Sequence, residues 1–269
     1  MRLVDPEQVA ARVRAIAREE LLPRFGRLGE GDVLAKPAPG DPDDVVTAAD
    51  LAIERRLEAE LRAALPGSVV VGEEAASARP GLLAALHAPA PVWVVDPLDG
   101  TRNFAAGRSP FGSMVALAVG GETRLACIYL PVEDALFVAE AGAGATLNGA
   151  RLRIPPGGAR ARRGTVYLGH VPADVRPAIV ERTRRLPVVP GPRAAAVEYT
   201  SLARGEKDFV VFFRLLPWDH APGSLVLLEA GGEARAPDGT PYRPTDGNHP
   251  LVLARDPDTW RTVRDTLFE

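Results

Sequence analysis

The sequence predicts a mixed protein built of α/β layers, and three observations carry that prediction. The apolar, β-branched run Val92 to Val95 ends in Asp96 and leads through Gly100 into a short helical segment, the strand-to-helix join of α/β proteins. Residues 111 to 154 are a series of apolar runs between Gly-rich turns, as in hairpins. From residue 164 strands and helices alternate, which asks for a second layer. With 269 residues the chain can form one large domain or two small ones sharing a core. The reading is one domain over 1–269 with sub-domains 1–154 and 155–269, divided by the Pro/Gly/Arg-rich stretch 155–164.

In chain order, a first helix runs from Asp5 to about Leu22: Asp5 caps, Pro6 suits the first helical position and Glu7 favours the positive end of the dipole. Residues 26–44 read as a Gly/Pro/Asp-rich loop, and 44–47 as extended or irregular. A second helix spans about Ala48 to Leu65 on the stripe Ile53, Leu57, Leu61, stopped by Pro66-Gly67. Val69 to Val71 is a strand followed by a Gly72-Glu73-Glu74 turn, and 79–87 a short helix. The central strand is expected to stop at Asp96, because Pro97 has no N–H to donate. After the hairpins come a strand at 165–170, a helix at 173–185, a short strand at 186–189, a helix at 194–204 and a strand at 208–213. A helix opens near Asp219 and stops at Gly231-Gly232; a strand at 251–254 and a helix capped by Asp256 finish the chain.

Composition excludes several classes of function. A 46% hydrophobic and 25% charged chain is that of a soluble globular protein. The net charge of −3 argues against binding nucleic acid through bulk charge. With Cys127 as the single cysteine, no intrachain disulfide forms; no run is long enough to cross a membrane and the first 20 residues hold no apolar signal core. A cytoplasmic protein is expected.

Chemistry concentrates at residues 91–107. Asp96 and Asp99 lie three apart at a strand end, next to Gly100 and Thr101. Strand ends that feed helices receive phosphates, and paired carboxylates there call for hard cations with oxygen ligands. Other residues leave two readings open. Asp50 is either a first-turn acid or a carboxylate aimed at the site, and Glu73 with Glu74 is either a solvated pair or a neighbour of Asp96. Asp219 is a helix-start acid or a ligand, His220 a packed residue or a ligand, and Lys36 a solvated loop lysine or a phosphate contact.

Taken together, VTAAD around Asp50, Glu73, DPLDGTRNF at 96–104 and WDHAPG at 218–223 resemble the inositol monophosphatase family. The resemblance implies an αβαβα sandwich of the inositol monophosphatase and fructose-1,6-bisphosphatase type. It implies Glu73, Asp96, the Leu98 carbonyl, Asp99 and Asp219 as ligands of two or three Mg²⁺ ions. Thr101 would hold the attacking water with Asp50 accepting from its hydroxyl, Glu73 would share in catalysis, and Gly100 and Thr101 N–H groups would receive the phosphate. A lithium-sensitive phosphatase is implied, as a homodimer, acting on a small polyol or sugar phosphate.

The substrate side departs from that pattern. The family's inositol-reading acid falls at Phe212, and its Gly-Ser/Thr-Ala segment is shortened to Arg193-Ala194-Ala195-Ala196. Arg214 is either a reader of a second phosphate or carboxylate or a dimer-interface residue, and Glu198 is the candidate replacement for the lost acid. Histidinol-phosphate, fructose-1,6-bisphosphate and 3′-phosphoadenosine phosphatases are the alternatives. A non-catalytic, partner-binding member is a further reading. A haloacid-dehalogenase mechanism is disfavoured, since the two acids read Asp-x-x-Asp and not Asp-x-Asp-Gly-Thr.

Overall fold

The computed structural model describes residues 2–29, 31–36, 45–157 and 163–269. Parts of the expected 26–44 loop and of the 155–164 boundary, residues 30, 37–44 and 158–162, lie outside the described residues.

The first half holds α1 (Pro6–Leu21), β1 (Val33–Ala35), β2 (Val45–Thr47), α2 (Ala48–Ala64), β3 (Val69–Gly72), α3 (Glu73–Ala78), a 3₁₀ segment at Pro80–His87, β4 (Val92–Asp99) and α4 (Thr101–Ala105). The hairpin set follows as β5 (Gly112–Val119), β6 (Glu122–Leu130), β7 (Ala135–Glu140), β8 (Gly144–Leu147) and β9 (Ala150–Leu152). The second half holds β10 (Gly164–Val166), α5 (Arg176–Thr183), α6 (Ala195–Ala203), β11 (Phe209–Phe212), α7 (Pro217–Glu229), β12 (Glu233–Arg235), β13 (Leu251–Ala254) and α8 (Pro257–Phe268).

Two main sheets form: a seven-stranded one in the order β3-β4-β5-β6-β7-β8-β9, and a four-stranded one in the order β10-β11-β13-β12. Strand alternation assigns their faces. Trp93, Val95, Val115 and Cys127 point to α1 and α2, whereas Val92, Val94, Met114 and Ile128 point to α6 and α7. The far side of α6 and α7 meets Val210, Leu251 and Leu253 of the smaller sheet. Its other face, with Phe209, Val211 and Val252, is covered by Ile179 of α5 and by Trp260 and Val263 of α8. The stack is helices, sheet, helices, sheet, helices: the expected αβαβα sandwich.

Several local expectations need correction. The strand expected to end at Asp96 runs on to Asp99. Asp96 faces Met114 and Asp99 faces Gly112, so Pro97 and Leu98 together oppose Ser113 alone. This is a β-bulge, and the missing Pro97 N–H falls inside it. The Pro97 carbonyl accepts from Ser113 Oγ at 2.6 Å, which fastens the bulge to β5. In an unbroken strand residues three apart point to opposite faces; the extra residue brings Asp96 and Asp99 to one side.

Elsewhere, Glu73 opens a helix instead of sitting in a turn. Leu168–His170 is a 3₁₀ turn where a strand is expected. The helix expected at 173–185 is shorter, because Pro177 sets its first turn. At 186–189 a lone bridge from Val188 to Gly164 replaces the expected strand, since Pro187 and Pro190 remove donors on both sides. Strands β1 and β12 carry no alternation that marks them in the sequence; their burial patterns are uniformly exposed and mixed.

Candidate metal and phosphate site

β3 and β4 run parallel, with Gly72 opposite Val95. The residues that follow, Glu73 and Asp96, therefore emerge side by side. The bulge adds Asp99. Asp219 arrives from the second half of the chain, in the first turn of α7, where Pro217 fixes the helix start. The four carboxylates line one cleft of about 430 Å³ together with Leu98, Gly100 and Thr101.

Burial and mutual repulsion dominate the electrostatics. Burial first, then Glu73, Asp99 and Asp219, hold the Asp96 carboxyl well above its ordinary range. Burial, then Glu73 and Asp99, do the same to Asp219, while the nearby Arg214 pulls the other way. Burial lifts Asp99 to about 7, although the Ala196 and Ala195 amides oppose it. These amides, at the start of α6, donate to the two Asp99 oxygens at 2.7 and 2.9 Å. Such a cluster is uncomfortable when ionised, and a divalent cation is the natural relief.

The donors fit hard cations. They are all oxygen, and they converge on one cleft. Among the described residues, however, no three His, Cys, Asp or Glu side chains are already closed up as a metal-holding group. Glu73 Oε1 accepts instead from Lys36 Nζ at 2.7 Å, as does Glu74 Oε1 at 2.7 Å. Burial alone would lower the Lys36 ammonium, but Glu73 and Glu74 hold it above its ordinary range. Lys36 thus supplies the positive charge beside Glu73, and it engages only one of the two Glu73 oxygens.

Thr101 occupies the centre. Its hydroxyl lies 2.8 Å from the Leu98 carbonyl and 3.1 Å from Asp50 Oδ1, and it donates its single proton between them. Asp50 is the first-turn acid of α2 and also reaches Thr101. Its Oδ2 accepts from the Thr47 amide at 2.7 Å, closing the capping box of α2, and Oδ1 reaches Thr101. Fully buried, it does not itself line the cleft, and burial raises it to about 6.

Gly100 adopts φ 86°, and a Cβ there would lie 2.8 Å from the Pro110 carbonyl. Only glycine makes this turn without strain.

Two supporting residues escape a reading of the sequence. Glu54 is buried, and its carboxylate accepts from the Glu74 and Ala75 amides at 2.8 Å each, capping α3 and fixing Glu73. Gly72 leaves room for it, since a Cβ there would lie 2.4 Å from the Glu54 carboxyl carbon. The available signal is the spacing: Asp50 and Glu54 are four apart on α2 and share a face. Asn103 Nδ2 donates to the Pro110 and Pro192 carbonyls, both at 2.8 Å, tying the DPLDGT turn to the loop before α6.

On the substrate side, Phe212 and Arg214 line an adjoining chamber. Glu198 does not replace the lost acid. It is fully buried, paired with Lys207, and accepts from the Tyr167 hydroxyl at 2.9 Å. A buried carboxylate that lost Lys207 to face a substrate would leave an unpaired ammonium, so the pair stays closed. His220 is packed, not a ligand: it is buried, and its ring nitrogens are engaged by the Tyr199 hydroxyl at 2.9 Å and the Arg214 carbonyl at 3.0 Å.

A five-layered sandwich whose cleft gathers four carboxylates at strand and helix ends, beside a hydroxyl–carboxylate pair, fits the class of layered phosphomonoesterases. A model of the inositol monophosphatase family matches residues 6–265, and the chain belongs to that family. It is 30% identical over 241 residues to the inositol-1-monophosphatase of Bacillus subtilis, covering 85% of this chain and 84% of that one. It is 36% identical to the Rhizobium meliloti inositol-1-monophosphatase over 208 residues, 74% of each chain. It is also 34% identical over 204 residues to Nus factor SuhB of Pseudomonas aeruginosa, covering 71% of this chain and 72% of that one. The fold matches the solved Thermotoga maritima IMPase with a TM-score of 0.78 at 23% identity, over 97% of this chain and 95% of that one. The chain is accordingly a phosphoric monoester hydrolase of a generally metal-dependent family. No described helix is long and apolar enough to cross a membrane.

Proposed function

We propose that the chain is a Mg²⁺-dependent phosphomonoesterase that hydrolyses a small phosphorylated metabolite by direct attack of water. The observation that carries this reading is the convergence of Glu73, Asp96, Asp99 and Asp219 on the cleft that also holds Thr101. Glu73, Asp96, the Leu98 carbonyl, Asp99 and Asp219 would hold two or three ions. Bound Mg²⁺ would offset the phosphate charge, acidify a water and stabilise the departing alkoxide.

The protein's part is positioning. With its proton directed to Asp50 or the Leu98 carbonyl, Thr101 Oγ1 keeps lone pairs that accept from a water and fix its approach. The Gly100 and Thr101 N–H groups receive the phosphate at the head of α4. Glu54 holds α3 so that Glu73 stays beside Asp96.

Thr101→Ala is expected to lower kcat by about a hundredfold, the usual loss when a proton-handling group is removed. Thr101→Ser is expected to stay within about tenfold of wild type, because it keeps the hydroxyl. Phosphate release measured for both variants tests the assignment, and an unchanged Thr101→Ala rate would contradict it.

The relatives named Nus factor SuhB raise a partner-binding role as the second reading. The full carboxylate set favours turnover. The resemblance also implies a homodimer in the cytoplasm and inhibition by lithium; light scattering reads the first, and rates with added LiCl the last.

A further inference from the structure

Continuous with the metal cleft lies a smaller chamber of about 230 Å³, which shares Asp99, Tyr167, His170, Arg193, Arg214 and Asp219 with it. At roughly 30 Å³ per water, it has room for one ring with a substituent. Its wall is aromatic. Tyr167 stacks on Phe212 with centroids 4.8 Å apart and planes within 6°, and His220 meets Phe212 edge-on at 4.8 Å.

A polyol gives up water at every hydroxyl, and each one left unpaired costs about 1–3 kcal/mol. This wall has little to offer such a ligand. The His220 nitrogens are both engaged, Nδ1 with the Tyr199 hydroxyl at 2.9 Å and Nε2 with the Arg214 carbonyl at 3.0 Å. The Tyr167 proton goes to Glu198, and Glu198 is closed by Lys207. Asp99 accepts from two α6 amides, and on the reading above its remaining lone pairs, with those of Asp219, go to the metal.

Besides the two carboxylates it shares with the metal cleft, the chamber holds two cations, Arg193 and Arg214. Arg214 is partly buried, and its guanidinium donates no hydrogen bond among the described residues. Arg193 is brought to the rim by a loop shaped around it. Its φ is 57°, a left-handed conformation that costs a non-glycine residue energy. Gly191 passes so close to Tyr167 that a Cβ would lie 2.3 Å from the hydroxyl oxygen. Asn103 holds the Pro192 carbonyl between them.

We propose that the alcohol released by this enzyme carries a compact, apolar-faced ring and a second anionic group, received by Arg214 and Arg193. The proposal rests on the phosphomonoesterase reading and narrows it. The ring lies against Tyr167 and Phe212, where the family's inositol-reading acid is missing. The anion, a carboxylate or a phosphate, meets the guanidinium groups, which bind either bidentately.

The test compares kcat/KM with Mg²⁺ for phosphate esters of primary alcohols: glycerol 1-phosphate, 3-phenylpropyl phosphate, and the latter's para-carboxylate and para-phosphonate derivatives. Wild type is expected to favour phenylpropyl over glycerol phosphate by about tenfold or more, and at least one anionic derivative by about a further tenfold. The carboxylate and phosphonate arms tell the two anions apart. Arg214→Gln should lower kcat/KM for the better anionic derivative about tenfold more than for 3-phenylpropyl phosphate, so that the second preference disappears. Glycerol phosphate as the best substrate, or an equal loss on all four esters in Arg214→Gln, would overturn the proposal. If none of the four, nor inositol 1-phosphate, releases phosphate while circular dichroism shows a folded protein, the phosphatase reading falls and the narrower one with it. Turnover of inositol phosphate alone would overturn only the narrower one.

Discussion

Asp96→Asn is expected to reduce kcat/KM by about a thousandfold or more, the scale of several kcal/mol of charge stabilisation in the transition state. Asp96 sits at the centre of the cluster. It is 2% exposed, its carboxyl feels Glu73, Asp99 and Asp219, and its Oδ1 accepts from the Leu98 amide at 3.1 Å. Asparagine keeps the shape and the acceptor oxygen for Leu98, so the bulge survives. What it loses is charge. In chelator the variant should be more stable than wild type, because a buried carboxylate facing three others resists ionisation and the amide does not. Loss of turnover together with a raised Tm in chelator would identify Asp96 as a functional residue held against stability. A lowered Tm would make it structural, and an unchanged rate would favour the partner-binding reading.

The second large effect is on stability against pH. Burial raises Asp50 to about 6, and Glu74 and Asp99 to about 7. A folded-state pKa above the unfolded value means that the native protein binds the proton more tightly. Its contribution to stability is complete below the unfolded pKa, near 4, and is lost as pH rises through the folded value. Each tenfold of proton affinity is worth about 1.4 kcal/mol, and these groups are coupled, so their effects do not simply add. The metal-free protein should therefore lose stability between about pH 4 and 7. Two groups run the other way: the hydrogen bond from Arg14 lowers Asp134 to about 2, which matters only in acid, and burial lowers His220 from 6.5 to about 4, which offsets part of the loss between those values. On the proposed reading Mg²⁺ binds the ionised carboxylates, so it should restore most of the loss at neutral pH and little at pH 5. Thermal melts at pH 5 and 7.5, with Mg²⁺ and with chelator, read this directly. A Tm in chelator that climbs from pH 5 to 7.5 would contradict the electrostatic account of the cleft.

Much of this arrangement is legible in the sequence, for physical reasons that differ by element. The long amphipathic helices α1 and α2 show their stripes and stops, and the apolar run Val92–Val95 shows the first half of β4. The hairpins from β5 to β9 announce themselves through Gly-rich turns. The carboxylates stand out because an acid at the end of a buried strand is costly to ionise. What stays hidden is tertiary. Pro97 reads as a stop locally, and only pairing with β5 turns it into a bulge that aims Asp96 and Asp99 the same way. Glu54 reads as an ordinary helix acid until β3 and α3 are placed over it. Glu198 reads as available until Lys207, nine residues on, is found against it inside the fold. Local sequence reveals propensity and chemistry; it does not show which of two charged residues will meet.

The central claim is that this carboxylate cleft works only with divalent metal. Phosphate release from a monoester, titrated with Mg²⁺ from excess chelator upward, tests it most directly. A rate at background in chelator that rises steeply with Mg²⁺ is the predicted result. Full activity in excess chelator would contradict it.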